Sequence, residues 1–393
     1  MQVAYSVPPI DPLILNVFST FAVGGPQVRF AALANSPEHR FRQLLFAMDG
    51  RYDCFTRLEK TARVDLSHFA FSRRSTAANV ISAYTVLRRL NPALLVTYNW
   101  GAIEWALAAA LAKVAYVHVV DGFGPEEAES QLARRVLFRR IALARCSQVI
   151  VPSKTLFQLA REIWRLPANQ VTQIPNGIDV DRFGGPPDEQ LLSTLGIPRD
   201  RLIVGTVATL RPEKNIARLL RAFAQVKDKV AASLVIVGDG AERLALKSQA
   251  LEMGLGDTVI FTGPVEDPAQ VLGPFDVFAI SSDTEQMPIS VLEAMAAGLP
   301  IAGVDVGNVK EMVSPENSPF IVNQHPEALA GALLDLLSDG ETRARIGAAN
   351  KERVSEDYTL DRMVHSYREL YLNLIQSGYR GQGFRSLMEP INN

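Results

Sequence analysis

Two glutamates, Glu285 and Glu293, lie eight residues apart in SSDTEQMPISVLEAMAAGLP (281–300). Pro288 and Ser290 between them mark a helix start, and Gly298 and Pro300 mark its stop. The segment reads as a turn feeding a short buried helix, with one carboxylate on the loop and one about a turn inside. Unsatisfied amides at a helix N-terminus attract anions. Carboxylates accept hydrogen bonds from hydroxyls. The pair therefore suits a ligand carrying both phosphates and hydroxyls. The spacing alone also fits two ordinary surface glutamates. A glycoside hydrolase is disfavoured, since it needs carboxylates about 5–10 Å apart across a sugar and eight helical residues span about 12 Å.

Other candidate groups are scattered along the chain. Arg211 and Lys214 sit in ATLRPEKN (208–215). Arginine can chelate two phosphate oxygens, whereas lysine acts as a point charge; the same stretch also reads as a solvated polar loop. Gly24-Gly25 precedes the helical pattern VRFAALAN, as a bare backbone for a ligand or as a plain turn. His118 ends a strand-like run and Asp121 opens the next loop; a histidine in a strand is commonly a core residue. Gly263-Pro264-Val265 follows another such run. RRVLFRRIALAR (134–145) reads either as an amphipathic helix packing on a sheet or as a basic surface helix touching acidic lipid, through Arg134, Arg135, Arg139 and Arg140. No G-x-G-x-x-G occurs, so a nicotinamide cofactor has no fingerprint. Cys54 and Cys146 have no metal-ligand spacing and make no disulfide framework. Neither metal nor cofactor is expected.

The elements that must hold these groups are legible. The chain has 393 residues, 48% hydrophobic and 21% charged, enough for two soluble domains. LLVTY (94–98), AYVHVV (115–120) and QVIVP (148–152) read as strands. LIVGTV (202–207), SLVIVG (233–238), TVIFTG (258–263) and DVFAI (276–280) form a second series. Helical patterns cover 215–227, 241–253 and 325–338. Buried β-branched runs alternating with helices imply parallel sheets of βαβ units, and two series imply two doubly wound domains. Asn176-Gly177 marks a turn near their boundary. The opening MQVAYSVPPIDP lacks the charged and apolar regions of a signal peptide. Trp105–Val120, interrupted by Lys113 and His118, reads as helix then strand rather than a membrane span. The tail after Tyr379 reads as an irregular extension. These features lead to an expected cytoplasmic location.

Charge is uneven. Residues 1–178 hold 20 basic and 12 acidic residues (+8), and the remainder holds 20 and 30 (−10). The first half is expected to face something anionic. Its basic residues adjoin no nucleic-acid recognition motif, so an anionic membrane surface or phosphate-bearing acceptor is the expected partner, and no nucleic acid.

Five motifs in order, IPNGID, VGTVATLRPEKNIARLL, VIVGDG, FTGPVED and E-x-x-P-x-x-x-x-E-A-M-A-x-G-x-P, resemble retaining glycosyltransferase family 4, the glycosyl transferases group 1. The resemblance covers most of 170–315 and is thinner before it. It implies an α/β GT-B fold: two doubly wound parallel-sheet, Rossmann-like domains facing across a cleft. Residues 1–178, rejoined by a C-terminal helix in 360–393, would form the acceptor-side domain, and 179–359 the nucleotide-sugar domain. It further implies that Glu285 meets the donor sugar and Glu293 the ribose, with Gln286, Met287, Pro288 and Ile289 beside the donor. Lys214 falls on the position that grips the diphosphate. The usual arginine position falls on Thr209, and Arg211 would replace its charge. Gly24 and Gly25 would let backbone approach the phosphates, Val265 would lie by the base, and His118, or in another register Asp121, would stand near the transferred sugar.

The implied activity is hexosyl transfer, with retention, from a nucleotide-diphosphate sugar, a UDP-sugar by preference. The acceptor would be lipid-linked, membrane-proximal or polysaccharide, and the enzyme cytoplasmic, peripheral on the inner membrane face. A GT-B nucleotide-sugar epimerase and a non-catalytic nucleotide-sugar-binding scaffold are the alternatives.

Overall fold

The computed structural model describes residues 12–39, 41–69, 75–123, 127 and 130–377. The first eleven residues and the tail after Tyr379 lie outside the described residues. The chain divides into two compact units: Met1–Ile174 with Val364–Asn393, and Pro175–Met363.

In the first unit the order is β1 (Leu13–Phe18), α1 (Gly25–Asn35), β2 (Arg42–Ala47), β3 (Val64–Leu66), α2 (Thr76–Leu90), β4 (Leu94–Tyr98), α3 (Ile103–Ala112), β5 (Tyr116–Val119), α4 (Ala133–Leu143), β6 (Gln148–Val151), α5 (Lys154–Glu162) and β7 (Val171–Gln173). The sheet order is β3-β2-β1-β4-β5-β6-β7, with every pairing parallel. β4 and β5 are buried along their whole length. Helices shield both faces of such strands, so their sequences run apolar without alternation. Side-chain caps fix the helix starts: the Ser75 and Ser153 hydroxyls accept from the amides of Ala78 and Leu156. The chain leaves β1 in one direction and returns in the other, so the switch point lies between β1 and β4.

The second unit runs α6 (Glu189–Leu195), β8 (Leu202–Val207), α7 (Ile216–Ala224), β9 (Ala232–Val237), α8 (Arg243–Glu252), β10 (Val259–Gly263), α9 (Ala269–Leu272), β11 (Val277–Ile280), α10 (Ile289–Ala296), β12 (Ile301–Val304), α11 (Val309–Met312), β13 (Ile321–Val322), α12 (Pro326–Ser338) and α13 (Gly340–Asp357). α14 (Leu360–Gln376) then carries the chain back to the first unit. The sheet order is β10-β9-β8-β11-β12-β13, also parallel. One apolar cluster centres on α10 and a second on α7 and α12. β8 and β11 are neighbours although three helices and two strands separate them in sequence, which makes their carboxyl ends the switch point. Ligands of open α/β sheets bind at such points.

Glycine is required where the loops after these strands press together. A Cβ at Gly238, which has φ +132°, would sit 1.9 Å from the Ala208 carbonyl oxygen. One at Gly240 would sit 2.3 Å from that of Leu210. The Gly-Asp-Gly of VIVGDG thus exists to let the loop after β9 lie against the loop after β8.

Candidate active site

Lys214 ends a single 3₁₀ turn, Pro212–Lys214, after β8, and Glu285 lies on the loop after β11. The topology brings them together: Lys214 Nζ is 2.5 Å from Glu285 Oε1. Glu285 also accepts from the Ser282 hydroxyl at 2.8 Å. Its side chain is 10% exposed and that of Lys214 27%, so the pair is sheltered yet reachable. A small cavity beside it is lined by Thr206, Lys214, Ser281, Ser282, Glu285 and Ser290.

The two loops are stapled by Arg218, which the sequence reading missed. Arg218 lies on the buried face of α7, 7% exposed. Its guanidinium donates to the Ser281 carbonyl at 2.7 Å and to Asp283 Oδ1 at 2.6 Å. Asn215, in the left-handed region at φ 41°, caps α7 by accepting from the Arg218 amide and donates to Asp283 at 2.9 Å. The Ser281 hydroxyl donates to the Lys214 carbonyl and the Asp283 amide to that of Glu213. The signal was present: an arginine among Ile216, Leu219, Leu220 and Phe223, on a face otherwise apolar.

Gln286, Met287, Pro288 and Ile289 lead into α10. No side chain caps its N-terminus and no acid lies in its first turn, so its dipole favours an anion there. Asn176 of IPNGID pins this entry by donating from its side chain to the Met287 carbonyl at 2.8 Å. A Cβ at Gly307 would strike the Glu285 carbonyl oxygen at 2.0 Å, so that glycine admits the loop from the other side. Glu293 follows within α10, half-buried. Arg211 is not drawn into this cluster: it is 57% exposed, with Glu213 4.0 Å away. Thr209, on the usual arginine position, is exposed. Val265 is half-buried beyond Gly263, itself at φ +83°.

The first unit gathers a separate group at the carboxyl ends of β1, β4 and β5. Asp121 takes a two-pronged contact from Arg29, one prong at 3.1 Å, and its amide donates to Asn99 Oδ1 at 2.7 Å. Burial works against the Arg29 charge, but Asp121 holds its pKa above the ordinary value. Tyr98 donates to Asn16, which donates to Gln43. Arg29 also lies over the Tyr367 ring, so α14 packs on this group. Asp121 is 11% exposed. His118 is 1% exposed, inside the sheet, with Nδ1 2.8 Å from the Thr97 hydroxyl. Burial, aided by the Arg139 charge, lowers its pKa to about 3, so it is neutral. Gly24 precedes α1 in extended backbone and Gly25 begins it; Gln27 donates to the Thr20 carbonyl and holds this loop.

The basic helix α4 divides its arginines. Arg139, 3% exposed, pairs with Glu127 at 2.6 Å, and Arg135 joins the same carboxylate at 3.1 Å. Burial would raise the Glu127 pKa, but its bonds to both arginines bring it below the usual range. Trp100, Phe123 and Trp164 surround the Arg139 guanidinium at about 5 Å. Arg140 donates to the Ile163 carbonyl. Of the four arginines expected to face lipid together, only Arg134 points freely outward. Arg135 and Arg139 are four residues apart, hence on one helix face, and that face is inward. Among the described residues no helix is long and apolar enough to cross a membrane.

Comparison with known proteins bears on the family and the fold. Residues 22–182 match Glycosyltransferase Family 4, and residues 188–353 match Glycosyl transferases group 1. The D-inositol 3-phosphate glycosyltransferase of Stackebrandtia nassauensis is 28% identical over 70% of this chain and 65% of its own length. The N-acetyl-alpha-D-glucosaminyl L-malate synthase of Bacillus anthracis is 25% identical over 62% of this chain and 64% of its own. The chain thus spans somewhat under two thirds of these curated relatives. Among solved structures, Alr3699/HepE of Anabaena in complex with UDP-glucose superimposes with a TM-score of 0.77 at 21% identity, covering 93% of this chain and 100% of that one. Sucrose-phosphate synthase of Thermosynechococcus elongatus gives 0.77 at 20% identity, with the same coverages. The two matches are consecutive and fall one on each sheet, and on both counts the chain belongs to the family 4, group 1 glycosyltransferases of GT-B fold.

Proposed function

We propose that this protein transfers a hexose, with retention, from a nucleotide-diphosphate sugar to a lipid-linked, membrane-proximal or polysaccharide acceptor on the cytoplasmic side of a membrane. The observation that carries the reading is the Lys214–Glu285 pair at the β8/β11 switch point. It sets a cation for a diphosphate beside a carboxylate for sugar hydroxyls. The uncapped start of α10 adds a positive dipole end, and Glu293 lies within that helix to take the ribose. UDP is the preferred nucleotide because a structural neighbour of the same fold binds UDP-glucose.

When the bond between the sugar C1 and the diphosphate breaks, negative charge grows on the leaving group. Lys214, Arg211 swinging from Glu213, and the amides of Gln286, Met287 and Ile289 stabilise it without a metal. The acceptor oxygen forms the new bond to C1 on the same face, and its proton passes to the departing phosphate oxygen. Glu285 orients the hexose. In the first unit the greater exposure of Asp121 supports it as the group nearer the ligand. The buried, neutral His118 supports the strand beneath it. Gly24 and Gly25 give backbone access to phosphate.

A thermal-shift series with UDP, GDP, TDP and their sugars tests the donor. UDP and a UDP-sugar should stabilise the protein most; no shift with any nucleotide would overturn the reading. With the best donor and an acceptor, proton NMR of the anomeric centre tests retention, and an inverted product would overturn it.

A further inference from the structure

We propose that the outer face of α2, α3 and α4 is a docking surface for an anionic lipid bilayer. The three helices lie side by side in the first unit, with α3 packed against both others. Two of them present an outward stripe at helical spacing. On α4 it is Arg134, Leu137, Ile141 and, just past the helix end, Arg145. On α2 it is Ile81, Tyr84 and Arg88; α3, between them, adds its one exposed residue, Leu111.

Single exposed apolar residues are normal on a protein surface. These are not single. Ile81 is 66% exposed, Leu111 57%, Leu137 58% and Ile141 55%, all on neighbouring helices. Arg88, Arg89, Lys113, Arg134 and Arg145, all exposed, accompany them. The only acid on the three helices is Glu104, which is half-buried and accepts from Asn79 Nδ2 at 2.6 Å. Large apolar side chains set among cations, with no exposed acid, match an acidic interface: the apolar groups enter the headgroup region and the cations meet phosphates. A second copy of the same face would bring like charges together.

The surface differs from the one the sequence suggested. The inward arginines, Arg135 and Arg139, hold α4 to Glu127 and the aromatic residues around it. Their engagement fixes the rotation of α4 and so turns Leu137 and Ile141 outward.

The inference rests on the membrane-proximal acceptor reading, and its test is independent of donor binding. The full chain is co-sedimented with vesicles of phosphatidylcholine alone or mixed with phosphatidylglycerol, at low and high salt. Binding should require phosphatidylglycerol and fall with salt. Two double variants, Leu137→Ser with Ile141→Ser and Arg134→Gln with Arg145→Gln, alter only exposed side chains and should keep the wild-type melting temperature and UDP-induced shift. The arginine pair should lower partitioning roughly thirty-fold. Equal binding to both vesicle types, wild-type binding by both variants, no sedimentation at all, or a dimer abolished by the serine pair would each overturn the proposal. An unchanged UDP shift in those cases would leave the donor reading standing.

Discussion

Lys214 and Glu285 occupy each other: the ammonium and the carboxylate meet at 2.5 Å across the gap between the loops after β8 and β11. A diphosphate reaching Lys214 competes with Glu285 for that ammonium. In the proposed reaction the exchange frees Glu285 for the hexose at the moment the phosphates arrive.

Removing the Glu285 charge should therefore act in opposite directions on binding and turnover. Glu285→Gln should tighten free UDP by roughly fivefold, about 1 kcal/mol for a partly exposed pair, and lower kcat for the sugar donor. Glu293→Gln should weaken free UDP, since a ribose contact is made with or without the sugar. Calorimetry with UDP and steady-state kinetics distinguish them. Two variants alike in both assays would refute the division of roles.

Arg218 should govern activity beyond its share of stability. Arg218→Met removes the bonds to Ser281 and Asp283 and lets the Lys214 and Glu285 loops part. Turnover should fall at least tenfold at a temperature where circular dichroism shows the variant fully folded, with Arg218→Lys recovering only part. Wild-type turnover in the folded Met variant would reduce Arg218 to a structural residue.

Acid should destabilise the first unit through its two buried histidines, His39 and His118, both kept neutral by burial. His118 has a folded pKa of about 3, below its ordinary value of 6.5. The stability it contributes is complete above the unfolded pKa and declines as pH falls from there toward the folded value. By pH 5 the loss is about 2 kcal/mol for this one group. His118→Gln, which can keep a bond to Thr97, should flatten the melting temperature between pH 7 and 5 relative to wild type. An equally steep profile would place the acid sensitivity elsewhere.

The sequence was most readable where packing makes it repetitive. β4, β5, β6, β8, β9, β10 and β11 fall on the expected runs because strands covered on both faces must be apolar throughout. β1 and β2 were missed: buried Asn16 and Gln43, bonded to each other, interrupt their apolar character. β3, three residues long, and β13, two, are too short to carry a pattern. Lys214 and Glu285 were visible through their motifs. Arg218–Asp283 and Arg29–Asp121 were not, because their members lie 65 and 92 residues apart and only the sheet order joins them. The arginines of α4 show the same limit. Their clustering is visible in sequence, but Glu127 decides which of them turn inward.

The most direct measurement is calorimetric titration of wild type and Lys214→Ala with UDP and with uridine. The substitution should weaken UDP by roughly tenfold or more, the loss of a charge-assisted contact worth about 1.5–3 kcal/mol, while uridine should bind as before. Arg211→Ala should weaken UDP in the same sense if its side chain swings in. Equal weakening of UDP and uridine by Lys214→Ala, or undiminished UDP binding, would contradict a diphosphate held at the β8/β11 switch point.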